Sequence, residues 1–203
     1  MRFSIVAATA ALAFVAHTTA FADAKIGQPA PSFKLADANG KMRSLDEFKG
    51  KTVVLEWNNP ECPFVRKHYN SEVRNMQTQQ ANATKDGVVW LTINSGAAGK
   101  QGHLDGAGAK QLIASTGAKQ SDYLLDPSGE TGRAYGAKTT PHMFVIDSNG
   151  VLQYAGGIDS IASTDISDIS KATQYVPQAI ADLKAGHAVR VATSQPYGCS
   201  VKY

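Results

Sequence analysis

The sequence is poor in cysteine, with only Cys62 and Cys199 among 203 residues. That excludes a disulfide-dense scaffold. There is no Cys-x-x-x-Cys or His-x-x-His spacing to support a zinc or copper site. Charge is also sparse: 18% of residues are charged and the net charge is +3. So weak a positive balance argues against nucleic acid as a partner. No internal repeat or linker divides the chain, and no long hydrophobic run is present. The apolar stretch from Ile5 to Ala16 is too short for a comfortable membrane span.

What is present suits an exported globular protein. Hydrophobic residues make up 43% of the chain, enough for a sizeable core. Arg2, the alanine-rich run and a small-residue pattern at Ala20-Phe21-Ala22 or Ala22-Asp23-Ala24 have the layout of a cleavable signal. The expectation is a signal peptide over 1–22 and one domain with a C-terminal tail over 23–203. Its destination would be a bacterial periplasm or the cell exterior, with no membrane attachment after cleavage. Thiols there are oxidised unless a partner keeps them reduced.

The most informative stretch is VVLEWNNPECPFVRKHY, from Val53 to Tyr69. An apolar strand runs through Glu56 and Trp57 into a turn at Asn58-Asn59-Pro60. Cys62 then stands where a helix begins. Pro63 suits the first helical position, which needs no N–H. Helix N-terminal N–H groups favour a thiolate over a thiol, and Arg66 one turn on adds positive charge. Spacing of Val65, Tyr69, Val73 and Met76 predicts one helix from Pro63 to about Lys85.

Further strands are expected at Ser32–Leu35, Val88–Ile93, Tyr123–Asp126, Met143–Asp147 and Val151–Ala155, the last two forming a hairpin. Asn39-Gly40 is a hairpin turn signal. Gly96 to Gly108 reads as a long loop, and Asp105–Thr116 and Lys171–Lys184 as helices. This alternation implies an α/β fold with a mixed central sheet flanked by helices.

The segments APSFKLADANGK, W-x-N-x-x-C-P-F-V, YLLD-x-x-G, YGAKTTPHMFVID and YAGGID together resemble the thioredoxin-like superfamily. Within it they are similar to the peroxiredoxin-like branch of the alkyl hydroperoxide reductase/thiol-specific antioxidant (redoxin) family. The resemblance implies a thioredoxin-like fold with an N-terminal hairpin extension, and an antioxidant thiol oxidoreductase with no prosthetic group. Cys62 matches the first cysteine of the thioredoxin Cys-x-x-Cys, whose second cysteine is replaced here by Val65. Pro141 matches the proline that follows a cis peptide and faces the active cysteine. Thr140 would offer its backbone to substrate, with Pro63 and His142 alongside. Asn59 stands where typical peroxiredoxins have threonine, and Arg66 and Arg133 are the candidates for the family's arginine. Glu56 takes the place of the buried acid of thioredoxins.

The expected chemistry is attack by Cys62 on a peroxide or a disulfide, with Cys199 as the resolving thiol and an external dithiol as reductant. Other readings remain open at this stage. Cys62 and Cys199 could form a structural staple in a non-catalytic binding protein, and Cys62 with His142 could handle copper or another metal such as zinc. Glu56 could be a strand-end carboxylate paired with Lys51, Arg66 or Lys67. The sequence leaves the oligomeric state open.

Overall fold

The computed structural model describes residues 24–203, so the expected signal peptide lies outside the described residues. In chain order the elements are β1 (Lys34–Asp37), β2 (Met42–Ser44), a 3-10 turn (Leu45–Phe48), β3 (Val53–Trp57), α1 (Pro63–Tyr69) and α2 (Asn75–Lys85). Then follow β4 (Val89–Asn94), α3 (Gly106–Thr116), β5 (Asp122–Leu125), α4 (Glu130–Ala134), β6 (Thr139–Thr140), β7 (His142–Ile146) and β8 (Leu152–Gly156). A 3-10 turn (Ile166–Asp168), α5 (Tyr175–Lys184) and β9 (Cys199–Ser200) complete the chain.

Seven strands form one mixed sheet in the order β2-β1-β5-β4-β3-β7-β8. β3 is parallel to β4 and antiparallel to β7. The N-terminal hairpin extension is β1 paired with β2 around Asn39-Gly40. β3 is buried along its whole length, as a central strand covered on both faces must be.

The strand period of two sorts its residues between the faces. Val53, Leu55 and Trp57 join Leu91, Ile93, Phe144, Ile146 and Tyr135 in one core. Val54 joins Trp90, Met143, Val145 and Tyr154 in another, closed by Met76 and Ala83 of α2 and by Val176 and Ala179 of α5. Ala109 of α3 packs separately on Tyr123 and Ala38.

The single helix expected from Pro63 to Lys85 is in fact two. Asn70 ends α1, and its side-chain oxygen accepts the backbone N–H groups of Glu72 and Val73. An asparagine that bonds its own following backbone competes with helix continuation. Arg74 then takes a left-handed φ of 47° and α2 starts afresh at Asn75, with Val73 left exposed between the two helices. The final helix begins at Tyr175, not Lys171, because Gln174 is held in an antiparallel bridge to Asp159.

The expected C-terminal tail is fastened to the domain at several points. Thr193 bridges to Ala155, β9 pairs with β6, and the Tyr203 hydroxyl donates to Ala137 O at 2.7 Å.

The glycine-rich loop after β4 reaches the start of α1. Asn94 Nδ2 donates to Gly102 O at 2.9 Å and Asn59 Nδ2 to Gln101 O at 3.3 Å. Gly102 has φ +76°, and a Cβ there would lie 1.9 Å from Asn59 Oδ1. Gly102→Ala is therefore expected to cost about 1 kcal/mol or more. Urea denaturation would measure it, and an unchanged midpoint would mean that the loop is free to move off Asn59.

Candidate active site

Cys62 is the residue immediately before α1, with its backbone extended at φ −74° and ψ 124° and Pro63 as the first helical residue. Its side chain is fully buried. Sγ donates to the carbonyl of Thr140 at 3.1 Å, and the Cys199 N–H donates to Sγ at 3.4 Å. The Thr140–Pro141 peptide is cis. Thr140 pairs with Cys199 and Thr139 with Ser200, so β9 lies along the edge that carries Thr140. Both cysteines are free thiols.

The two thiols have opposite proton affinities. Burial pushes Cys62 up, but hydrogen bonds from the Cys199 thiol, the Val65 N–H, the Cys199 N–H and the Thr140 side chain outweigh it, and the net direction is down. Cys199 is pushed up to about 11, by burial first and then by its hydrogen bond and charge interaction with Cys62. Cys62 is thus the more readily deprotonated of the two, and Cys199 holds its proton more tightly.

Arg66 contributes differently from what its spacing suggested. It is exposed, and its Nε donates to Pro60 O at 2.9 Å, bracing the turn before Cys62. The groups that hold the thiolate come from β9, β6 and the first turn of α1. Arg133 also points elsewhere, with Nη1 on Ser128 O at 2.7 Å and its guanidinium over the Tyr203 ring. Asn59 is buried and used at both ends: Oδ1 accepts the Glu61 N–H at 2.9 Å and Nδ2 binds Gln101 O.

Glu56 pairs with none of Lys51, Arg66 or Lys67. It has no solvent exposure, and five donors converge on it. Tyr69 and Asn58 reach Oε1 at 2.7 and 3.1 Å, while Trp90, Gln80 and Thr92 reach Oε2 at 2.9, 3.1 and 3.3 Å. Burial raises its pKa, against the pull of the hydrogen bonds.

His142 lies on the other face of the sheet from Glu56. It stacks on Phe144 with ring centroids 4.4 Å apart and accepts the Lys138 N–H on Nδ1 at 3.2 Å. Burial lowers its pKa to about 4. Among the described residues no hydrogen bond joins it to Cys62, and no group of three or more His, Cys, Asp or Glu side chains could hold a metal ion.

Sequence reasoning missed a second buried cluster one turn along α1. Asp159 Oδ2 lies 3.9 Å from Lys67 Nζ and 3.8 Å from His68 Nε2, and Asp159 Oδ1 accepts from the Tyr197 hydroxyl. Burial lowers His68 to about 4. Nothing in the spacing of these residues announced the cluster, since its members come from α1, the loop after β8 and the C-terminal segment.

A family model described as Redoxin matches residues 25–174. The chain belongs to the redoxin family. An uncharacterized conserved protein from Geobacillus kaustophilus is 23% identical, with 88% of this redoxin and 92% of that chain covered at a TM-score of 0.74. For a hypothetical protein from Sinorhizobium meliloti 1021 the identity is 23%, the coverage 88% and 94%, and the TM-score 0.73. A Chlorobium tepidum protein described as a thiol:disulfide interchange protein, DsbE, is 25% identical over 66% of this chain and 85% of its own, with a TM-score of 0.51. No curated protein matches the chain. This redoxin therefore has a thioredoxin-like fold and is a thiol-dependent redox protein. Among the described residues no helix is long and apolar enough to cross a membrane.

Glu56 gives a pH test. Its folded-state pKa lies above the ordinary 4.5, so the stability it contributes is full below that value and is lost as pH rises through the raised pKa. Glu56→Gln should remove that decline above pH 4.5. The variant should be less stable than wild type at pH 5, where its amide nitrogen faces donors. Parallel pH-stability profiles for the two proteins would contradict this account.

Proposed function

We propose that this redoxin is an exported dithiol oxidoreductase that cycles between a Cys62/Cys199 dithiol and the corresponding disulfide. The observation that carries the reading is the placement of Cys199 beside Cys62 at the Thr140 edge, with the Cys199 N–H on Cys62 Sγ at 3.4 Å. Cys62 thiolate attacks one sulfur of an external disulfide; a mixed disulfide forms and one external thiolate leaves. The negative charge on Cys62 is then gone, and with it two of the causes that raise the Cys199 pKa. Cys199 loses its proton to solvent and attacks the Cys62 sulfur. The Cys62–Cys199 bond forms and the second external thiolate is released. An external dithiol reverses the oxidation.

A peroxide could take the first position instead, giving Cys62 sulfenic acid and an alcohol or water, with water lost as Cys199 closes the disulfide. Disulfide exchange is the better supported of the two. The side chains that would orient a peroxide, Asn59, Arg66 and Arg133, are committed to other partners. Export rests on the N-terminal sequence and suits a dithiol that needs a reducing partner. Thr140 and Pro141 form the docking edge in this reading. His142 supports that edge from the opposite face, and Glu56 supports the turn before Cys62 through Asn58.

The test uses dithiobis(nitrobenzoate), whose released thiolate is coloured. Wild type should release two equivalents and yield a Cys62–Cys199 peptide by mass spectrometry, whereas Cys199→Ser should release one. One equivalent from wild type, with no such peptide, would overturn the reading.

A second expectation concerns Cys62 itself. The Cys199 thiol is the largest of the groups that lower its pKa, so Cys199→Ala should raise the midpoint of its iodoacetamide reaction against pH. An unchanged midpoint would assign the lowering to the groups the variant keeps, the Val65 N–H, the backbone N–H at position 199 and the Thr140 side chain.

A further inference from the structure

β9 spans only two residues, and a pairing so short does not hold an extended segment in place by itself. The segments on either side of it are fastened by tyrosines. Tyr197, two residues before Cys199, sets its ring on Phe64 of α1 with centroids 5.8 Å apart. Its hydroxyl donates to Asp159 Oδ1 and lies 3.4 Å from His68 Nε2. Asp159 is 2% exposed and is itself held by the Ile161 N–H at 3.0 Å. On the other side Tyr203 donates its hydroxyl to Ala137 O at 2.7 Å beneath the Arg133 guanidinium, and Val201 N donates to Lys138 O at 3.1 Å. Gly198 lies between the fastenings at φ +129°, where a Cβ would stand 2.1 Å from Thr140 O. The segment can lie flat on Thr140 only because this residue has no side chain.

We propose that Tyr197 and Tyr203 are positioning residues, two hydroxyl clasps that hold Cys199 on Cys62 and whose release admits the incoming disulfide. The proposal rests on the dithiol reading above. Closed, the strap buries Cys62 and occupies the Thr140 edge. Open, it frees both for the first exchange. Closing again delivers Cys199 to the mixed disulfide, so the first step requires the open form and the second step the closed one.

Dithiobis(nitrobenzoate) resolves the two steps as two phases of thiolate release. Tyr197→Phe and Tyr203→Phe remove one hydroxyl each and keep the ring. In each variant the first phase should accelerate by roughly tenfold or more, the expected worth of a buried hydrogen bond. The second phase should slow. Adding Asp159→Ala to Tyr197→Phe should bring no further acceleration, because both changes open the same clasp. Amide exchange at Cys199 and Ser200 should quicken in both variants while α2 and β4 amides keep their protection, which separates strap release from general unfolding. Wild-type phases in both tyrosine variants, or exchange that quickens everywhere, would overturn the clasps. That outcome is distinguishable from failure of the dithiol reading, in which wild type itself releases one equivalent.

Discussion

A carboxyl group without solvent exposure, in the central strand of a sheet, must find its hydrogen bonds inside the protein. Glu56 finds them from β4 through Trp90 and Thr92, from α1 through Tyr69, from α2 through Gln80, and from the turn before Cys62 through Asn58. One side chain thereby ties the strand that leads into the site to both helices that follow it. Gln80 extends the network to Lys119 N, and the Tyr123 hydroxyl donates to Asn58 Oδ1. The position of Cys62 relative to the sheet is thus set by a polar network under α1 as well as by apolar packing. Networks of this kind specify one arrangement because a partial set of partners is costly.

On that base the site is completed from far away in the chain. Thr140 supplies the carbonyl that receives the Cys62 thiol, and β9 supplies the Cys199 N–H and thiol. The electrostatics follow from geometry. Burial alone would make Cys62 a poor thiolate, and the donors gathered on Sγ reverse that outcome. Cys199 pays the reciprocal charge, since the interaction that lowers one thiol raises the other. Two chemically identical side chains acquire different proton affinities from their surroundings.

Much of this was legible in the residue pattern. The apolar run at Val53–Leu55, Pro63 after Cys62, the Asn39-Gly40 turn and the strand-turn-strand at Met143–Ala155 are local signals, and the mixed sheet and N-terminal hairpin follow from them. The break at Asn70–Arg74 was not legible, because the apolar spacing continues through it while a side-chain oxygen takes over the backbone bonding. Glu56 was visible as an acid in an apolar strand, but its five donors lie between 2 and 36 residues away.

The sequence by itself determined the layered α/β fold and marked Cys62 as the thiol at a helix start, because strand period, turn residues and proline placement act over a few neighbours. It also excluded a thioredoxin-style local partner by placing Val65 where the second cysteine would be. Only the tertiary structure decided that Cys199 lies on Cys62, that the C-terminal segment is a fastened strap, and that His142 faces away across the sheet. Cys62 and Cys199 are 137 positions apart, and what joins them is a two-residue strand pairing flanked by Tyr197 on Asp159 and Tyr203 on Ala137. Contacts at such separation arise from how the packed elements meet in space, and no short-range pattern encodes them.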